Sequence, residues 1–78
     1  MATITFKLTN KEDFNEIVEK TTLVDMWKHI HIHINEPRNW IIEECEDGEM
    51  NDCICAYTFI SMYKDENDVP KLISDILP

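Results

Sequence analysis

One glycine, Gly48, stands in 78 residues. A glycine-rich loop that cradles phosphates is therefore excluded, and most turns fall to Asn, Asp and Pro. Bases are also scarce: seven Lys and Arg stand against sixteen Asp and Glu, for a formal charge of −9. Bare nucleic acid and anionic membranes repel such a surface, whereas a basic protein attracts it. No apolar stretch approaches the roughly 20 residues of a membrane helix. The first eight residues alternate polar and apolar and lack the basic start and apolar run of a signal peptide. Cys45, Cys53 and Cys55 are odd in number, and Cys53 and Cys55 are too close for an easy mutual bridge. Reduced thiols and a cytoplasmic setting are the expectation. No nucleophile elbow, phosphate loop or paired-carboxylate motif surrounds the Cys and His residues, and a chain this small leaves little room for a water-excluding pocket. The expectation is a protein that is not an enzyme and has no cofactor.

What is present favours a packed core over disorder: 44% of the residues are hydrophobic and seven are aromatic. Residues 1–78 read as a single domain, because a divided core would leave each half too little apolar surface. Thr3 to Leu8 alternates with the period of a half-buried strand. Thr9 and Glu12 form a capping box, followed by Phe14, Ile17, Val18 and Thr21 at helical spacing. Met26 to Ile34 alternates again, with Asn35-Glu36-Pro37-Arg38 as a turn. Trp40 to Cys45 is extended, Asp47-Gly48 is a hairpin signal, and Cys53 to Tyr63 reads as a strand. Asp68 caps a last helix with Pro70 in its first turn, and Val69, Leu72, Ile73, Ile76 and Leu77 form its apolar stripe. The class is α+β: a mostly antiparallel four-stranded sheet with two helices packed on one face, in the order β-α-β-β-β-α.

Registers drawn from the turns place Ile30, Ile32, Ile34, Ile41, Ile54, Ala56 and Ile60 beneath the helices, against Phe14, Ile17, Val18, Leu72, Ile73 and Ile76. The other face then carries Trp27, His29, His31, His33, Trp40, Ile42, Cys53, Cys55, Tyr57 and Phe59. Ile42 would face Cys53, and Trp40 would face Cys55. A slip of one residue reverses the assignment. An aromatic and polar face open to water is a contact surface, with Trp27, Trp40 and Tyr57 as its anchors.

The run His29-Ile-His31-Ile-His33 invites a metal, since alternate strand residues lie roughly 6.5 Å apart on one face. The third histidine is too far to join the first, and Cys53 and Cys55 lie beyond an intervening strand, so no metal site is expected. Acidic residues form the stronger pattern. Glu43, Glu44, Glu46, Asp47, Glu49 and Asp52 fall within ten positions that contain no Lys or Arg. Glu12, Glu16 and Glu19 form a stripe on the first helix, and Asp65, Glu66 and Asp68 a third patch. Unbalanced carboxylates repel one another unless a cationic partner relieves them, and their spacing approaches that of successive phosphates.

In size, acidity, α+β order and the Glu43–Asp52 block the chain resembles small phage and mobile-element inhibitors: anti-CRISPR proteins, nucleic-acid mimics that inhibit uracil-DNA glycosylase, and toxin-neutralising immunity proteins. The resemblance carries no functional residue across. It implies a stoichiometric, non-catalytic inhibitor of a basic, nucleic-acid-processing protein, with no direct contact to nucleic acid or membrane. Two alternatives stay open: a homodimeric adaptor using the Trp/His/Tyr face, and a metal-responsive protein using His29, His31 and His33.

Overall fold

The alternation of the first segment forms strand β1, Ile4–Asn10, with Phe6 and Leu8 fully buried. This and all that follows concerns residues 3–76, which the computed structural model describes. The chain does not then enter a helix. Asn10 Oδ1 accepts from Glu12 N at 2.9 Å and Asp13 Oδ1 from Asn15 N at 3.1 Å, so side chains take up the amides and close a tight loop. Strand β2, Ile17–Lys20, returns antiparallel to β1 with Val18 opposite Leu8. The helical spacing of Phe14, Ile17 and Val18 misled because Phe14 sits in the loop, 71% exposed, and only Val18 packs on the core.

Helix α1, Leu23–His33, occupies the segment expected to be a strand. Thr22 caps it, its side chain accepting from Asp25 N at 3.1 Å, and Asp25 adds a carboxylate to the first turn. Buried Leu23, Met26 and Ile30, with half-buried Trp27 and Ile34, fall at helical spacing. Ile30 and Ile34 satisfy both the strand and the helix period. Ile32 distinguishes them, and it is 72% exposed rather than part of the core.

A 3-10 turn at Pro37–Asn39 leads into β3, Trp40–Glu46, which pairs antiparallel with β1. Asp47 (φ 51°) and Gly48 (φ 89°) make the two-residue hairpin to β4, Glu49–Cys55. Two consecutive positive φ values are the signature of the hairpin turn whose twist matches the strands. A register shift at Glu44/Cys45 follows the turn, leaving Asn51 as the extra residue. Beyond it every β4 side chain changes face, so Ile42 opposes Ile54, not Cys53, and Ile41 opposes Cys55. Ile42 and Ile54 therefore both enter the core.

The strand expected from Cys53 to Tyr63 ends at Cys55, and helix α2, Ala56–Met62, takes its place. Ala56 and Phe59 are buried one turn apart, with Ile60 and Tyr63 half-buried beside them. The C-terminal segment contains only two 3-10 turns, Glu66–Asp68 and Ile73–Asp75, instead of an amphipathic helix. Pro70 holds Val69 extended (φ −68°, ψ 125°), which breaks the helix before its stripe can form. Ile73 is buried as expected, whereas Leu77 lies outside the described residues.

The molecule is thus an α+β domain with a four-stranded antiparallel sheet in the order β2-β1-β3-β4 and two helices against one face. Along the chain the order is β-β-α-β-β-α, the second and third elements having exchanged places relative to expectation. No helix among the described residues is long and apolar enough to cross a membrane.

Candidate partner-binding surface

The sheet separates the acidic residues that sequence grouped together. The hairpin tip lies beside the start of β1: Thr3 N donates to Asp47 Oδ1 at 2.9 Å, and Asp47 N donates to Thr3 O at 2.9 Å. The β1–β2 loop lies at the other end, where Lys11 N donates to Asn39 O at 2.7 Å. Glu12 and Glu16, exposed in that loop, are therefore remote from Glu46, Asp47 and Glu49, exposed at the tip. They form no helical stripe with Glu19, which stands on β2.

Within the Glu43–Asp52 block the side chains have different environments. Glu46 and Glu49 face solvent as the last pair of the hairpin, and Glu46 Oε2 accepts from Asn51 Nδ2 at 3.2 Å. Asp47 is exposed but committed to the turn. Asp52 is half-buried opposite Glu44. Glu43 is half-buried on the uncovered face, accepting from Thr9 Oγ1 at 3.3 Å. Glu44 points the other way and is only 4% exposed. Its Oε1 accepts from Ile73 N at 2.7 Å and pins the C-terminal segment to the sheet. Sequence placed Glu44 among the partner contacts; burial makes it a structural carboxylate instead. No periodicity signal could have found this, because the partner amide lies 29 residues away.

Among the described residues only one ion pair closes, Lys28 Nζ to Glu66 Oε2 at 2.8 Å. Hydrogen bonding and charge from Glu66 raise the Lys28 pKa above its ordinary value. Of the third acidic patch, Glu66 is thereby answered internally, while Asp65 Oδ1 accepts from Asn67 N at 2.9 Å. Among the described residues the carboxylates at the hairpin tip have no such cation.

The expected aromatic and histidine face is not assembled. Trp27 is half-buried on α1, its Nε1 donating to Tyr63 O at 2.8 Å and tying α1 to the end of α2. Trp40 packs against the core from β3. Tyr57 is exposed on α2 beneath the Arg38 guanidinium, 4.3 Å from the ring centroid, a cation–π contact. On a helix the histidines divide: His29 and His33 lie one turn apart, with ring centroids at 4.7 Å, while His31 meets the Trp27 ring edge-on at 4.3 Å. Partial burial first, then the charges of His33 and Lys20, lower the His29 pKa. Among the described residues no group of three His, Cys, Asp or Glu is placed to hold a metal ion.

The sheet face away from the helices carries rows that the register defines. Ile17, Thr9, Ile41 and Cys55 form one, and Glu19, Lys7, Glu43 and Cys53 the next. Cys45 is buried in a third row, and no cysteine is bridged. Sequence reasoning placed Cys53 and Cys55 on this face, where the register keeps them, but it added Ile42, which pairs with Ile54 in the core, and residues of two segments that are helical. No protein family matches the chain, and no curated protein or solved structure is similar to it.

Proposed function

We propose that the protein is a non-catalytic, cytoplasmic inhibitor that binds a basic, nucleic-acid-processing protein through the β3–β4 hairpin and competes with nucleic acid for its site. The observation that carries this reading is the hairpin tip. There Glu46 and Glu49 are exposed on either side of a two-residue turn whose Asp47 carboxylate accepts from Thr3 N, with no ion pair among the described residues. Mutual repulsion at such a tip costs stability that a cationic groove recovers on binding. Two bonds between Asp47 and Thr3, one from Thr3 N to the Asp47 carboxylate and one from Asp47 N to Thr3 O, hold the tip in place, which reduces the ordering cost of association. Free cysteines accord with a reducing compartment. The resemblance to small acidic inhibitors belongs to this same reading.

The test is capture of the partner from the native host on the immobilised full chain, followed by titration of the purified pair. Binding is expected to weaken steeply with salt, because the Debye length falls to roughly 8–10 Å at physiological ionic strength. Added nucleic acid is expected to displace the protein. Affinity indifferent to salt, or a stable ternary complex with nucleic acid, would overturn the proposal.

A further inference from the structure

Beside the acidic hairpin, an open groove of about 710 Å³ runs between β1, the start of α1 and the C-terminal segment. Its walls are mainly apolar: Ile4, Leu23, Val24, Val69, Pro70 and Leu72. Ile4 is the residue nearest the hairpin, directly opposite Glu46 on the same face of the sheet, so one end of the groove opens beside the tip. The charges in its lining are close to balanced. Glu66 is paired with Lys28, and Asp25 and Lys71 are of opposite sign.

An anion is a poor occupant despite the helix N-terminus at the rim. The Asp25 amide is already bonded to Thr22 Oγ1, and the Asp25 carboxylate occupies the first turn. An apolar side chain suits the walls, and the neighbouring tip selects positive charge around it. We infer that this groove receives an apolar side chain, of leucine or methionine size, carried within a Lys/Arg-rich segment of the partner. The inference rests on the hairpin reading above and adds a specificity element to it. Carboxylates steer and hold the basic segment, while the groove distinguishes it from other basic chains, since electrostatics supply encounter and a filled pocket supplies discrimination.

The experiment titrates the isotopically labelled full chain at low salt with two probes, acetyl-Lys-Arg-Leu-Arg-Lys-amide and the same peptide with glycine at its centre. The leucine peptide is expected to bind about tenfold more tightly, the order expected for burying one such side chain. It should shift the amide signals of Leu23, Val24, Val69 and Leu72. Val24→Arg, at a half-buried wall position outside the core cluster, should erase the difference between peptides while circular dichroism stays unchanged. Equal affinity of the two peptides, with shifts confined to Glu46–Glu49, overturns the groove and leaves the hairpin reading standing. Failure of both peptides to bind overturns both. Shifts in the groove that follow protein concentration without peptide identify a second copy as the occupant, and also overturn the inference.

Discussion

The β3–β4 hairpin places carboxylates at its base and at its tip under opposite conditions. At the base, Glu44 is buried and spends its charge on the Ile73 amide, holding the C-terminal segment against the sheet. At the tip, Glu46 and Glu49 are exposed, and Glu46 accepts only from the neighbouring Asn51 side chain. Two residues along one strand separate a carboxylate that stabilises the fold from one exposed to solvent. Local composition treats the two as equivalent. The difference comes from the C-terminal segment, whose Ile73 meets Glu44.

The comparison can be broken first at the base. Ile73→Asp puts a second carboxylate into the core beside Glu44 and is expected to cost about 3 kcal/mol or more, unfolding the domain. Ile32→Asp, on the exposed side of α1, should melt close to the parent protein. Thermal melts of the two variants decide it, and similar losses would refute the helical assignment of α1.

Glu44→Ala removes the acceptor and leaves the Ile73 amide without a partner. A loss of about 1–3 kcal/mol is expected in urea unfolding, with a smaller loss for Glu44→Gln, which keeps a carbonyl in place. Glu49→Ala should change stability by less than about 0.5 kcal/mol.

At the tip, Glu46→Lys combined with Glu49→Lys should leave the melting profile nearly unchanged. The same pair should slow association with the partner and flatten its salt dependence, because repulsion replaces attraction. Unchanged association rates, measured at low and high salt, would remove the tip from the binding surface.

The smallest effect concerns His29, away from the hairpin. Its folded pKa lies below the ordinary 6.5, chiefly through partial burial. The unfolded chain therefore binds the proton more readily. Stability from this source is present above about pH 6.5 and is lost as pH falls through that value towards the folded pKa. His29→Asn should make the melting temperature less sensitive to pH between about 7.5 and 5.5. An identical pH profile would show that acidification acts elsewhere.

Local pattern was sufficient in some segments and ambiguous in others. The Thr3–Leu8 alternation, the Asp47-Gly48 turn and the extended Trp40–Cys45 segment could be read directly, because each depends on near neighbours and on φ values that few residues adopt. The Met26–Ile34 run was ambiguous, since isoleucines two apart also include a pair four apart. Only burial of Met26 and Ile30, with exposure of Ile32, resolved it. The acidic block was visible as a composition, but not its division into a tip, a half-buried middle and a core carboxylate.

Sequence alone determined the α+β class, the tight hairpin and the excess of negative charge, all of which follow from residue type and short-range spacing. Tertiary structure decided which segments became helix and which strand, because apolar side chains accept either period until a face is offered to bury them. It also decided the β3–β4 register, through one extra residue at Asn51 that sets Ile42 opposite Ile54 and so brings Ile42 into the core. And it decided the role of Glu44, whose hydrogen-bond partner comes from a distant segment that only the folded chain brings within reach.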